Sequence, residues 1–143
     1  MNVFLDANIF FAAARSPHGG SSFVLELAKA GSITLMTVEY ALFEAERAIH
    51  KKLSIEHVWR HYQNLQQCNL IVQPIPAIEP PVAALLERIV PVKDIPILIG
   101  AIHAHVDVLV TLDRQHFLGN TLLRRFHLPF EIMNPREFLT KYF

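Results

Sequence analysis

Short apolar runs that break off at a polar or acidic residue recur along this chain, with helical stretches between them. That alternation constrains the fold more than any other feature. The first run, Val3, Phe4 and Leu5, stops at Asp6, a pattern that suits a strand buried on both faces of a parallel sheet. Residues 33–36 and 69–72 read as the second and third strands, the third closed by Pro74, which a central strand does not accept. Residues 108–110 form the fourth and run into Thr111-Leu112-Asp113; residues 130–133 read as an edge strand. Strands alternating with helices predict an α/β fold: three layers, α/β/α, around a central, mostly parallel sheet of four to five strands, with right-handed crossings.

The helices carry their own punctuation. Asn8 is a good residue to start the first, which buries residues 9–14. Ser21 or Ser22 is the expected cap of the second, where Phe23, Val24, Leu25, Leu27 and Ala28 are helically spaced and Gly31 ends the run. Thr37 is expected to cap a third helix with a buried stripe of Ala41, Leu42, Ala45, Ala48 and Ile49, and Glu44 lies beside that stripe. Residues 53–67 read as a half-buried helix from Ser54 with ordinary surface histidines, and Pro80-Pro81 opens a helix through Val90. Asp94 and Pro96 are cap and early position of an almost wholly apolar helix over residues 97–105, where Gly100 allows close packing. Residues 117–126 read as a helix interrupted near Gly119-Asn120, and Asn134-Pro135 starts a last one over residues 136–142.

With 143 residues, residues 1–143 fit one domain. Hydrophobic residues make up 52% and charged ones 18%, which leaves apolar surface beyond what a core needs and favours a homodimer or another partner. No apolar stretch reaches the roughly 18 residues of a membrane span, and the start lacks the marks of a secretory signal. The single cysteine, Cys68, forms no internal disulfide and suits a reducing cytoplasm. Lys plus Arg and Asp plus Glu both total 13, so there is no overall basic footprint for nucleic acid; acids gathered into one site would leave the remaining surface more basic than the total suggests.

Two of those acids stand in the same place. Asp6 and Asp113 each follow an apolar strand, and ligands of open α/β sheets bind outside the carboxyl ends of strands. If the two strands are neighbours, the carboxylates repel unless a cation lies between them. Oxygen ligands without a cysteine or histidine partner suit Mg²⁺ or Mn²⁺ rather than Zn²⁺. Asp94 stands at a helix N-terminus, where the dipole favours a carboxylate, and Glu44 can reach the same edge from the helix after the second strand. Each acid also has a plainer use: Asp94 as a cap, Glu44 in an i,i+3 pair with Arg47, Asp113 closing a turn.

The segments FLDANIF, LFEAERAI, KDIPILIGAI and LVTLD, in this order and followed by NPREFL, resemble the PIN-domain (PilT N-terminal) family over nearly the whole chain. The family's four-acid pattern falls on Asp6, Glu44, Asp94 and Asp113. Lys93 and Gln115 stand where many members carry further acids. The resemblance implies a Mg²⁺- or Mn²⁺-dependent endoribonuclease, and many members of this size are toxins of VapBC-type pairs, with an antitoxin protein as partner. Asp6, Asp94 and Asp113 would then be metal ligands, Glu44 a ligand or the group that orients the attacking water, and Asn8 and Thr111 would fix the carboxylates. Arg15, Lys93 and Arg114 are candidate contacts to RNA phosphates. The alternatives are a housekeeping RNA-processing nuclease, distinguished by the absence of a small neighbouring antitoxin gene, and a non-catalytic module that binds RNA or protein, distinguished by the absence of Mn²⁺-dependent cleavage.

Overall fold

The computed structural model describes all residues from Met1 to Phe143. The elements in chain order are β1 (Asn2–Leu5), α1 (Ala7–Arg15), α2 (Gly20–Lys29), β2 (Thr34–Val38), α3 (Glu39–Lys52), α4 (Ile55–Gln67), β3 (Ile71–Gln73), α5 (Pro80–Glu87), α6 (Ile95–His103), β4 (Val108–Val110), α7 (Thr121–Arg124), β5 (Glu131–Met133) and α8 (Pro135–Tyr142). A 3-10 turn, Val92–Asp94, leads into α6, and a wide helical turn, Arg114–Leu118, follows β4.

The five strands form one sheet in the order β3-β2-β1-β4-β5, and every pairing is parallel. The sequence expectation of a mostly parallel sheet thus resolves to a wholly parallel one. Alternation along β1 splits the interior in two: Val3 and Leu5 face a core with Ile9, Phe10, Leu25, Leu35 and Phe138, while Phe4 faces a second with Val38, Ile97, Leu98, Leu109 and Phe117. Helices α1, α2 and α8 cover one face and α5 and α6 the other; α3 contributes Ala45 to the first core and Ala41 to the second. A smaller cluster of Ala14, Ile49 and Val58 docks α4 on α1 and α3. Helix α6 lies so close to β2 that a Cβ on Gly100 would come within 2.5 Å of Val38 Cγ1. No helix is long and apolar enough to cross a membrane.

The chain passes from β1 to β2 on one side, and β4 later pairs with β1 on the other. The direction of winding therefore switches between β1 and β4, which opens a crevice at their carboxyl ends. Leu5 is in register with Val110, so Asp6 and Thr111 leave the sheet side by side.

Several local expectations are corrected. Asn8 does not start α1, because Asp6 takes that place and accepts the Ala7 N–H. Gly19, not Ser21 or Ser22, precedes α2; the Ser22 hydroxyl turns inward to the Ala13 and Ser16 carbonyls. Thr37 belongs to β2 and donates its hydroxyl proton to the Leu5 carbonyl at 2.8 Å, and Val38 precedes α3. Asn69 has φ of 51°, outside strand geometry, so β3 begins later than expected. His61 is not a surface histidine: it is buried edge-on against Phe10. Helix α5 stops at Glu87, before the expected Val90.

Candidate metal centre

Asp6, Glu44, Asp94 and Asp113 line a single depression of about 360 Å³ at the crevice, together with Asn8, Phe11, Lys52 and Lys93. Each acid arrives by a different local device. Asp6 follows β1 as the first residue past the buried strand, and Asp113 stands three residues past β4. Asp94 holds the position before α6, yet its side chain makes no cap hydrogen bond, which leaves the carboxylate free to turn into the depression. Glu44 reaches in from α3; it forms no ion pair with Arg47, the plain use its spacing offered.

Asp6 is the most constrained of the four. Its Oδ1 accepts the Ala7 N–H at 2.7 Å, and its Oδ2 accepts the Thr111 hydroxyl at 2.7 Å and the Asn8 side-chain amide at 3.3 Å. Asn8 ties the two strand ends together, donating also to Thr111 Oγ1 at 3.3 Å and accepting the Leu112 N–H at 3.0 Å. Thr111 Oγ1 in turn accepts the Asp113 N–H at 3.1 Å. Despite these donors, burial pushes the Asp6 carboxyl from 3.8 up to about 6, with the charges of Asp94 and Asp113 acting in the same direction. Asp94 is raised as well, by burial first and by the Asp113 charge second, against the pull of His116 and Lys93. On α3, Tyr40 stands one turn before Glu44, and burial together with that carboxylate pushes its hydroxyl up to about 12. The phenol therefore keeps its proton beside Glu44.

His116 is the site residue the sequence reading missed. Its Nδ1 lies 3.1 Å from Asp94 Oδ2 and 3.1 Å from Asp113 Oδ2, and its backbone N–H donates to Asp113 Oδ1 at 2.8 Å. The expectation of an acid cluster with no histidine partner is therefore corrected. The signal was a spacing of three residues, which places the imidazole over Asp113 once the chain turns helically after β4. A ring nitrogen carries one proton and serves one carboxylate at a time, and Asp94 Oδ2 is buried with no hydrogen-bond partner. A buried, unsatisfied carboxylate oxygen among like charges is relieved by a cation in its reach. The residues present fit a divalent ion: carboxylate oxygens suit Mg²⁺ or Mn²⁺, and the imidazole of the Asp94, Asp113 and His116 cluster adds a nitrogen that favours Mn²⁺ of the two.

Of the basic residues singled out in the sequence, Lys93 lines this depression, Arg114 faces a different one, and Arg15 stands at the end of α1 with its guanidinium 5.7 Å from the centre of the Phe11 ring. Lys52, not foreseen, places its ammonium 5.8 Å from the same ring. It was legible in principle: Glu44, Ala48 and Lys52 are four residues apart along α3 and line the depression as one helical face.

The family model for the PIN domain matches residues 2–115. The chain belongs to the PIN-domain family. No curated protein matches its sequence. Among solved structures, this PIN domain superimposes on a chain of the crystal structure of VapBC2 from Rickettsia felis bound to a DNA fragment from their promoter. The TM-score is 0.67 and the identity 21%, over 94% of this chain and 98% of the other. That likeness establishes the shared fold.

Proposed function

We propose that this PIN domain is a metal-dependent endoribonuclease acting as the toxin of a toxin–antitoxin pair. The observation that carries the catalytic part is the meeting of four carboxylates from four separate segments in one crevice, with the buried Asp94 Oδ2 left without a hydrogen bond. Asp6, Asp94 and Asp113 would hold a Mg²⁺ or Mn²⁺ ion. When bound, the ion supplies neutralisation of phosphate charge and a lowered pKa for water. Everything else falls to the chain. Asn8 and Thr111 fix the Asp6 carboxylate, and Thr111 fixes the Asp113 backbone, so the ligands are set before substrate arrives. Glu44, with Tyr40 beside it and no basic partner, is placed to accept a proton from an attacking water. Lys52 and Lys93, on the rim of the same depression, draw the RNA backbone towards the acids.

The toxin part draws on the likeness to a chain of a VapBC complex. It is also supported by large apolar side chains left on the surface, with Phe43 61% and Trp59 63% exposed, which a second copy or an antitoxin would cover. The test is cleavage of single-stranded RNA by the purified protein. Mn²⁺ or Mg²⁺ supports it, chelator stops it, and Asp6→Asn or Asp94→Asn removes it without unfolding the protein. Full cleavage by Asp6→Asn, or undiminished cleavage in chelator, rejects the assignment of these residues. Growth arrest on expression, relieved by a co-expressed small neighbouring gene, tests the toxin reading separately.

A further inference from the structure

A second depression, of about 370 Å³, lies at the same carboxyl edge of the sheet, and its lining includes Gly20, Ser21, Arg114, Asn134, Pro135 and Arg136. No acidic residue lines it. Two helix N-termini converge there. Gly20, the first residue of α2, abuts Pro135, the first of α8: a Cβ on Gly20 would sit 3.4 Å from Pro135 Cβ. Helix α2 has no side-chain cap, because Gly19 has nothing to offer, so the N–H groups of Gly20 and Ser21 are left without an internal acceptor. On α8, Asn134 accepts the Glu137 N–H at 2.7 Å and Pro135 has none, which leaves that of Arg136.

The side chains agree with the backbone. Ser21 is only 6% exposed, yet its hydroxyl makes no hydrogen bond within the protein and lines the depression. Its neighbour Ser22, buried to a similar degree, is satisfied by two carbonyls, so α2 does not lack acceptors for a hydroxyl that turns the other way. Arg114 and Arg136, both exposed, have no carboxylate within ion-pair distance. Free amides at two positive helix ends, the unbonded hydroxyl of a serine that is otherwise buried and two unpaired guanidinium groups make a cradle for a tetrahedral oxyanion.

We infer that this cradle binds a phosphate, and that in the enzyme it is the phosphate of RNA next to the one being cut. The choice of RNA rests on the nuclease reading above; the cradle itself does not. Asp113 and Arg114 are consecutive, and one lines the acid crevice while the other lines the cradle. Their Cα atoms are thus about 3.8 Å apart, and a strand whose scissile phosphate sits at Asp113 carries its neighbour past Arg114. The cradle therefore fixes the direction and register of the strand across the acids.

The first arm of the test uses inorganic phosphate and the full-length, isotope-labelled protein in chelator. Phosphate should shift the amide resonances of Gly20, Ser21 and Arg136, and the Arg114→Ala, Arg136→Ala double variant should weaken that binding at least tenfold. Both arginines are at the surface, so the variant keeps its fold. The second arm uses a fluorescent single-stranded RNA oligonucleotide and reads binding, not cleavage. The slope of log Kd against log salt should become shallower in the double variant by about 0.7 for each phosphate that is no longer neutralised. Phosphate shifts with an unchanged RNA slope overturn the assignment to RNA and leave a site for free phosphate or a small phosphorylated ligand. No phosphate-dependent shift at Gly20 and Ser21 overturns the cradle. Because neither arm measures hydrolysis, an inactive but RNA-binding protein would reject the nuclease reading and still decide this one.

Discussion

Replacing Asp6 with asparagine should stabilise the metal-free protein at neutral pH and destabilise it in acid. The folded carboxyl titrates near 6 rather than at 3.8, so between about pH 4 and pH 6 the native state holds a proton that the unfolded chain has released. Stability of the wild type therefore falls as pH rises through that window and is level above it. The loss amounts to about 3 kcal/mol at 1.36 kcal/mol per pH unit. Asparagine cannot ionise and escapes this loss. It retains an oxygen for the Ala7 N–H, but its amide nitrogen cannot accept the Thr111 hydroxyl, and Thr111 Oγ1 already receives Asn8 and the Asp113 N–H. Losing that hydrogen bond costs about 1 kcal/mol. The balance is a gain of about 2 kcal/mol near pH 8 and a deficit of about 1 kcal/mol near pH 4. For a chain of this size that is a Tm higher by about 6 °C at the first pH and lower by about 3 °C at the second. Asp94 is raised in the same direction and its charge acts on Asp6, so the substitution relieves Asp94 as well and adds to the gain at neutral pH. Thermal melts followed by circular dichroism in chelator, at half-unit steps of pH, decide the matter. A difference in Tm that does not change with pH would refute the buried, repelled carboxylate on which the metal site is argued. Added Mn²⁺ should raise the wild-type Tm and leave Asp6→Asn nearly unmoved.

Other perturbations separate the parts of the site. Thr111→Val removes the donor that holds the Asp6 carboxyl down, so Mn²⁺ affinity measured by calorimetry should fall about 10- to 100-fold and the acid limb of the cleavage profile should move to higher pH. His116→Ala takes away the group between Asp94 and Asp113; in chelator it should lower stability by about 1–3 kcal/mol, and saturating Mn²⁺ should restore most of it. Unchanged stability in chelator with weakened Mn²⁺ binding would instead make His116 a ligand alone. Gly100→Ala drives a methyl into Val38 and Phe4 and should cost about 1–3 kcal/mol in chemical denaturation while Mn²⁺ affinity stays the same. Lys52→Ala should raise the Kd for single-stranded RNA and flatten its salt dependence without changing Mn²⁺ affinity.

What the sequence made legible, and what it hid, divides along one physical line. Asp6 and Asp113 could be placed because a buried parallel strand leaves a strong one-dimensional mark, an apolar run with a sharp polar end, and parallel strands deliver all such ends to one edge of the sheet. Asp94 looked like a cap and occupies the cap position. The role proposed for it depends on the cap hydrogen bond not being made, and a missing hydrogen bond has no signature in the letters. The cap errors have the same origin. Asn8 and Thr37 are good cap residues, but tertiary partners outcompete the local helix ends: Asn8 spans to Thr111 and Leu112, more than a hundred residues away, and Thr37 reaches the Leu5 carbonyl in the next strand. His116 is harder still, since its role requires the turn after β4, the orientation of its own ring and the arrival of Asp94 from another element. Where chemistry rides on a strand end, periodicity finds it. Where it rides on which of two available partners a side chain chooses, only packing decides, and the most informative residues of this crevice, Asn8, Asp94 and His116, are of that second kind.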